Sequence, residues 1–137
     1  MIVADANLLA YLVIQGAHTA AARAVAGRDD EWAAPRLWRS ELMSTLAGYV
    51  RTGETDIAGA VERHAAAEAA VGEREFDVEA GAVLELATVS GCSTYDCEYV
   101  AVARMLGVPL ITSDREVLRA FPRIAVSPEQ FVKGRAR

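Results

Sequence analysis

Short, continuous apolar runs alternate along the chain with longer segments whose apolar residues recur at helical spacing. The runs predict buried strands at residues 2–4, 31–35, 108–112 and 123–126. The longer segments predict helices at residues 7–14, 18–27, 36–53, 55–71, 78–90, 94–106 and 114–121, with one last helical turn over 127–132. Between the fourth and fifth helices, residues 73–77 (Glu-Arg-Glu-Phe-Asp) are expected to form an acidic link.

The order of these elements predicts a single α/β domain over residues 1–137. Strands that are apolar throughout, rather than alternating, are typical of a parallel sheet covered by helices on both faces. We therefore expect a three-layer α/β/α architecture around a mainly parallel, twisted sheet of four or five strands. The final residues, about 133–137, are expected to form at most a flexible basic tail.

Composition narrows the class of protein and its compartment. The chain has 53% hydrophobic and 24% charged residues, as is typical of a folded globular domain. We expect a cytoplasmic protein, because the first residues lack a basic leader and no run reaches the ~18 apolar residues that a membrane span needs. Cys92 and Cys97 are too few for a disulfide scaffold and are expected to be small buried residues.

The net charge of −5 is unfavourable for binding nucleic acid, but the charge is unevenly distributed. Residues 1–103 hold 16 acids and 7 bases, which gives −9, and residues 104–137 hold 3 acids and 7 bases, which gives +4. All but one of the bases are arginines, whose planar group suits phosphate contacts. The basic C-terminal part could therefore face a polyanion, or could be ordinary solvated surface.

Two acids directly follow predicted strands. Asp5 comes after Ile-Val-Ala, and Asp114 comes just after Pro-Leu-Ile-Thr. Ligands of open parallel sheets bind outside the carboxyl ends of the strands, so both acids stand where a site is expected. Each also precedes a helical segment and could serve as its N-cap.

Two further acids stand on predicted helices. Glu41 has mostly apolar neighbours on the core side of its helix, and a glutamate is rarely buried without a partner. Asp96 lies in the first turn of an apolar helix, where the helix dipole favours it, although Ser93 and Thr94 already supply capping hydroxyls. Asp96 is therefore not needed as a cap.

Convergence of these four acids would require a cation. Two carboxylates ~4 Å apart repel by about 4 kcal/mol at an effective dielectric constant near 20. A site built of oxygen ligands alone suits Mg²⁺ or Mn²⁺, which can activate water for an in-line displacement at phosphorus. His18 and His64 lie on predicted alanine-rich helices and are expected to be exposed and to have no catalytic role.

Four stretches of the chain, in this order, resemble the PIN domain and, more narrowly, the VapC-type toxin ribonucleases of bacterial toxin–antitoxin pairs. They are IVADANLL, SELMSTL, TYDCEYVAVA and ITSDREVLRAF, and the resemblance covers roughly residues 2–126. It implies an endoribonuclease in which water activated by Mg²⁺ or Mn²⁺ attacks the RNA phosphodiester. The acids implied to hold the metal, directly or through water, are Asp5, Glu41, Asp96 and Asp114.

The resemblance also implies supporting residues and partners. Asn7 and Thr112 match common polar companions of the first and last acids, and are expected to orient the carboxylates. A homodimer is implied, as is a cognate VapB-type antitoxin that inserts a basic side chain into the acidic site. Arg115 and Arg119 share one helix face near Asp114 and could contact RNA phosphates, with solvated surface as the alternative.

Two other functions stay open. A Mg²⁺-dependent phosphoryl-transfer protein of the receiver or aspartyl-phosphatase kind also carries an acid after its first strand. Such a protein needs a second acid beside the first and a lysine after a late strand. Here residues 5–7 are Asp-Ala-Asn, and the chain's one lysine is Lys133. The other possibility is a PIN-like module that binds RNA or protein without cutting.

Overall fold

The computed structural model describes residues 1–134, which form five strands and eight helices. The strands are β1 (Ile2–Ala4), β2 (Trp32–Pro35), β3 (Glu75–Phe76), β4 (Leu110–Ile111) and β5 (Ala125–Val126). The helices are α1 (Ala6–Val13), α2 (Thr19–Arg28), α3 (Trp38–Arg51), α4 (Ile57–Val71), α5 (Ala80–Ser90), α6 (Thr94–Leu106), α7 (Arg115–Ala120) and α8 (Pro128–Val132). Every predicted strand and helix is found, with bounds that differ by a few residues.

The strands form one parallel sheet in the order β3-β2-β1-β4-β5. The central strand β1 pairs with β2 on one side, where Val3 lies opposite Ala33, and with β4 on the other, where Val3 lies opposite Leu110. The chain runs outward from β1 to β3 and then returns to the far side of β1. This reversal makes the β1–β4 junction the topological switch point, where such folds bind ligands.

Helices cover both faces of the sheet, so the expected three-layer α/β/α architecture is confirmed. Right-handed crossovers put α1 to α4 on one face, and the reversed connection from β3 to β4 puts α5 and α6 on the other. The packing agrees, because α1 contacts α2, α3 and α4, whereas α5 packs on α6, and α6 lies against β1, β2 and β4.

The strands supply the centre of the hydrophobic core. All residues of β1, β2, β4 and β5 are buried, as their continuous apolar character predicts. Trp32 and Trp38 are the largest fully buried side chains, and the indole nitrogen of Trp32 donates to the Asp29 carbonyl oxygen at 2.7 Å. Cys92 and Cys97 are buried free thiols, as expected.

The prediction that residues 73–77 form only a link was wrong, because Glu75 and Phe76 form the edge strand β3. A charged residue is tolerated there because donors from α3 and the turn before it surround its carboxylate. Glu75 accepts from the indole nitrogen of Trp38 at 2.8 Å, from Arg39 Nε at 2.6 Å and from Arg36 Nη1 at 3.0 Å. Its side chain is 10% exposed.

The two histidines differ from one another. His18 is exposed as expected and stacks on Tyr11, with the ring centroids 4.5 Å apart. The expectation that His64 is exposed was wrong. Its ring is half-buried because α4 packs on α3, where it stacks on Trp38 at 5.3 Å and its Nε2 lies 3.3 Å from the Arg39 carbonyl oxygen.

Two other expectations concern membrane-spanning helices and the C-terminal residues. Across residues 1–134, no helix has both the length and the apolar character needed to cross a membrane. Of the predicted basic tail, Lys133 is exposed at the end of α8, and residues 135–137 lie outside the described residues.

We predict that Glu75→Gln lowers the free energy of unfolding by about 2 kcal/mol, measured by urea denaturation at pH 7. The amide keeps the shape of the side chain but removes the negative charge that accepts hydrogen bonds from Trp38 and Arg39. The Arg36 pair contributes little, because that side chain is 63% exposed. The matched control is Glu73→Gln at an exposed position, which should stay within about 0.5 kcal/mol of wild type. Equal stability of the two variants would contradict this account of β3.

Candidate active site

Carboxylates from four separate elements line one pocket at the carboxyl edge of the sheet, next to the β1–β4 junction. One acid follows β1, one lies in the first turn of α3, one in the first turn of α6, and one follows β4. This acidic pocket brings together all four predicted acids and both of their predicted polar companions: Asp5, Asn7, Glu41, Asp96, Thr112 and Asp114.

Asp5 is held by a donor on each of its oxygens. Its Oδ1 accepts from the Leu8 backbone nitrogen at 2.8 Å, so Asp5 caps α1. Its Oδ2 accepts from the Thr112 hydroxyl at 2.6 Å, and the same hydroxyl oxygen accepts from the Asp114 backbone nitrogen at 3.1 Å. Through these two hydrogen bonds Thr112, which is only 2% exposed, joins the ends of β1 and β4 inside the site.

The acid after β4 caps the helix that follows it, whereas the acid in the first turn of α6 does not. Asp114 caps α7, and its Oδ1 accepts from the backbone nitrogens of Glu116 at 2.9 Å and Val117 at 3.1 Å. Ser93 caps α6 by accepting from the Asp96 backbone nitrogen at 3.1 Å. As predicted, Asp96 is therefore not the cap of its helix.

Glu41 has a partner that the sequence reasoning missed. The Tyr99 hydroxyl, on α6, donates to Glu41 Oε1 at 2.6 Å, and both residues line the acidic pocket. Ser44 and Thr45 also line it and were missed. Helical spacing could have found all three, since Tyr99 stands three positions after Asp96, and Ser44 and Thr45 stand three and four after Glu41.

Burial and mutual repulsion raise the pKa of three carboxyl groups in the acidic pocket, those of Asp5, Glu41 and Asp96. Burial raises the pKa of Asp5 to about 6, the hydrogen bond from Thr112 opposes the rise, and the charges of Glu41 and Asp114 add to it. Burial also raises the pKa of Glu41 and of Asp96 above their usual range. Among the described residues, the lining of the pocket holds no basic side chain that could compensate the charge of these carboxylates when they ionise.

The donor set of the acidic pocket fits a hard divalent cation. Its lining supplies carboxylates and hydroxyls, with no histidine, cysteine or basic side chain among the described residues that line it. Asp5, Glu41, Asp96 and Asp114 are the residues that would hold the ion. Within residues 1–134, no three acidic, histidine or cysteine side chains stand in a ready ligand arrangement. Bound water or side-chain rotation would have to complete the coordination of such an ion, and Mg²⁺ commonly keeps several waters.

The remaining predicted site residues are placed differently. Asn7 lines the acidic pocket and is exposed, but across residues 1–134 its side chain makes no hydrogen bond to a carboxylate. Arg115 and Arg119 are exposed on α7 and lie outside the lining of the acidic pocket. Arg119 lines a separate cleft beside Cys92 and Glu116.

Comparison with known proteins identifies the family. The model of the PIN domain matches residues 2–125, which is most of the chain. The chain belongs to the PIN-domain family. PIN domains are typically nucleases that depend on Mg²⁺ or Mn²⁺, in agreement with the carboxylates that line the acidic pocket.

A solved structure supports the fold of this PIN domain. The crystal structure of PAE2754 from Pyrobaculum aerophilum superposes with a TM-score of 0.76, covering 98% of this chain and 96% of that one. The two sequences are 24% identical, so the similarity concerns the fold alone. No curated protein matches the sequence.

We predict that the metal-free PIN domain loses stability as the pH rises from 4 to 7. The pKa of Asp5 is about 6 in the folded protein and 3.8 for an unperturbed aspartate, so the folded state holds the proton more tightly than the unfolded state between these two pH values. This stabilisation is complete below about pH 3.8 and is lost as the pH passes 6, by up to about 3 kcal/mol.

The measurement is urea unfolding in EDTA from pH 4 to 7.5 for wild type and Asp5→Asn. The variant cannot ionise at this position, so its stability relative to wild type should grow with pH. Asp56→Asn is the matched control, because Asp56 caps α4 at an exposed position and should keep the wild-type profile. Parallel profiles for wild type and Asp5→Asn would contradict the assignment.

Proposed function

We propose that this PIN domain is an endoribonuclease that depends on Mg²⁺ or Mn²⁺ and cleaves RNA phosphodiester bonds with activated water. The observation that carries the proposal is the acidic pocket itself. Carboxylates from four elements that are distant in sequence line one pocket at the switch point of a parallel sheet. A bound divalent cation would lower the pKa of a coordinated water and stabilise negative charge on the phosphate.

The protein's own contribution is to hold the ligands in place. Asp5 is fixed through both oxygens by Leu8 and Thr112, and Asp114 is fixed through Oδ1 by two backbone donors. Preoriented carboxylates lose little freedom when a cation binds, which favours tight and specific coordination. Asp96 and Glu41 complete the charge around the pocket.

RNA and dimer contacts outside the pocket are part of the same proposal. Arg115 and Arg119 are exposed on the helix that follows Asp114, so they are proposed to hold flanking phosphates. The proposal includes a homodimer, as the resemblance to VapC-type proteins implies.

We further propose that the enzyme is a VapC-type toxin silenced by a VapB-type antitoxin. A groove between α3 and α4, here the α3–α4 groove, exposes Met43 (53%), Ile57 (68%) and Val61 (62%). Apolar side chains exposed together on one surface are typical of a docking site for an amphipathic helix. A basic side chain of the same partner could supply the acidic pocket with the cation it requires.

We predict that Asp5→Asn and Asp96→Asn each lower the rate of RNA cleavage by roughly a thousandfold, as loss of a preorganised catalytic charge does. Single-turnover cleavage of end-labelled RNA with Mg²⁺ or Mn²⁺ measures the effect, and EDTA should abolish cleavage by wild type. Asp56→Asn makes the same chemical change away from the pocket and should cleave like wild type.

Expression in bacteria separates the toxin from a general nuclease. Wild type should arrest growth, and the two pocket variants should not, while all variants keep a folded circular-dichroism spectrum. Wild type that binds RNA but leaves it intact with both metals would favour a binding module. Folded pocket variants that cleave and arrest growth as wild type does would refute the proposed function.

A further inference from the structure

The hydrogen bond between Tyr99 and Glu41 joins the two helical layers beside the acidic pocket. Tyr99 belongs to α6 and is 4% exposed, whereas Glu41 belongs to α3 and is half-buried. The two oxygens are 2.6 Å apart, a distance typical of a hydroxyl that donates to a carboxylate. Both side chains line the pocket, so the bond lies at the candidate reaction site rather than deep in the core.

The geometry fixes which group donates and which oxygen is used. An ionised carboxylate can only accept a hydrogen bond, so the Tyr99 hydroxyl is the donor and Glu41 is the acceptor. The hydrogen bond occupies Glu41 Oε1. Across the described residues 1–134, the other oxygen, Oε2, accepts no hydrogen bond from the protein.

Glu41 differs from Asp5 and Asp114 in the number and kind of donors that hold its carboxylate. Asp5 has a donor on each oxygen, and Asp114 has two backbone donors on one oxygen. Glu41 has one side-chain donor, and its longer chain has three rotatable bonds that would otherwise sample several rotamers. The tyrosine hydroxyl is the group that holds this carboxylate in one position.

We propose that Tyr99 is a positioning residue of the acidic pocket. Its hydroxyl holds Glu41 Oε1 and thereby leaves Oε2 free to coordinate a divalent cation or to accept a hydrogen bond from the cation's bound water. The inference rests on the proposed function, because it assigns Tyr99 a role toward the cation of that same site. A role in core packing alone would need the ring of Tyr99 but not its hydroxyl.

Tyr99→Phe tests the hydroxyl alone, since the ring that packs in the core is retained. We expect the affinity for Mn²⁺, measured by calorimetry, or the rate of single-turnover RNA cleavage to fall by about 10- to 100-fold. This is the range usual for groups that orient metal ligands. The KM for RNA should be unchanged. The matched control is Tyr95→Phe, one turn earlier on α6 and 60% exposed, which should behave like wild type.

A double-mutant cycle on Mn²⁺ affinity shows whether Tyr99 acts through Glu41. In a Glu41→Ala background, Tyr99→Phe should weaken binding no further, because the carboxylate it positions is gone. In an Asp96→Asn background, it should weaken binding by its full factor. Wild-type behaviour of Tyr99→Phe, or an undiminished effect in the Glu41→Ala background, would overturn the inference while leaving the proposed function intact. Wild type that neither binds Mn²⁺ nor cleaves RNA would overturn both.

Discussion

Repulsion among carboxylates that share a partly buried pocket is the constraint on which the rest of this structure depends. Burial raises the pKa of Asp5, Glu41 and Asp96, and the charges of neighbouring acids raise each of them further. Such an arrangement costs stability in the absence of a cation. That the fold nevertheless holds the acids together from four elements is the observation from which we propose a ligand that compensates their charge.

The parallel sheet is what makes this convergence possible. Because strands are added on one side of β1 and then on the other, the ends of β1 and β4 lie side by side, and Thr112 joins them by hydrogen bonds with Asp5 and the backbone of Asp114. Asp5 and Asp114 also cap the helices that follow them. One carboxylate can therefore both cap a helix and serve as a preoriented ligand, because the backbone N–H groups in the first turn of the helix hold it in place.

Much of this could be predicted from the sequence, because the signals are local. Continuous apolar runs predict the buried strands, and acids placed directly after two of them predict the site. The edge strand β3 was missed because a charged residue such as Glu75 is typical of a connecting segment. The donors that stabilise its carboxylate come from residues 36–39, which are distant in the sequence. Tyr99 was missed for a similar reason. A tyrosine in an apolar helix is typical of a core residue, and its partner Glu41 lies 58 positions away in the sequence.

The central claim is that the acidic pocket holds a divalent cation through ionised carboxylates. Calorimetric titration of the metal-free protein with Mn²⁺ at pH 5 and at pH 7 tests it most directly. Because burial raises the pKa of Asp5 to about 6, its ionised fraction rises about tenfold between these values, and the affinity should rise at least as much. Mn²⁺ affinity that is absent, or that is the same at both pH values, would contradict the account.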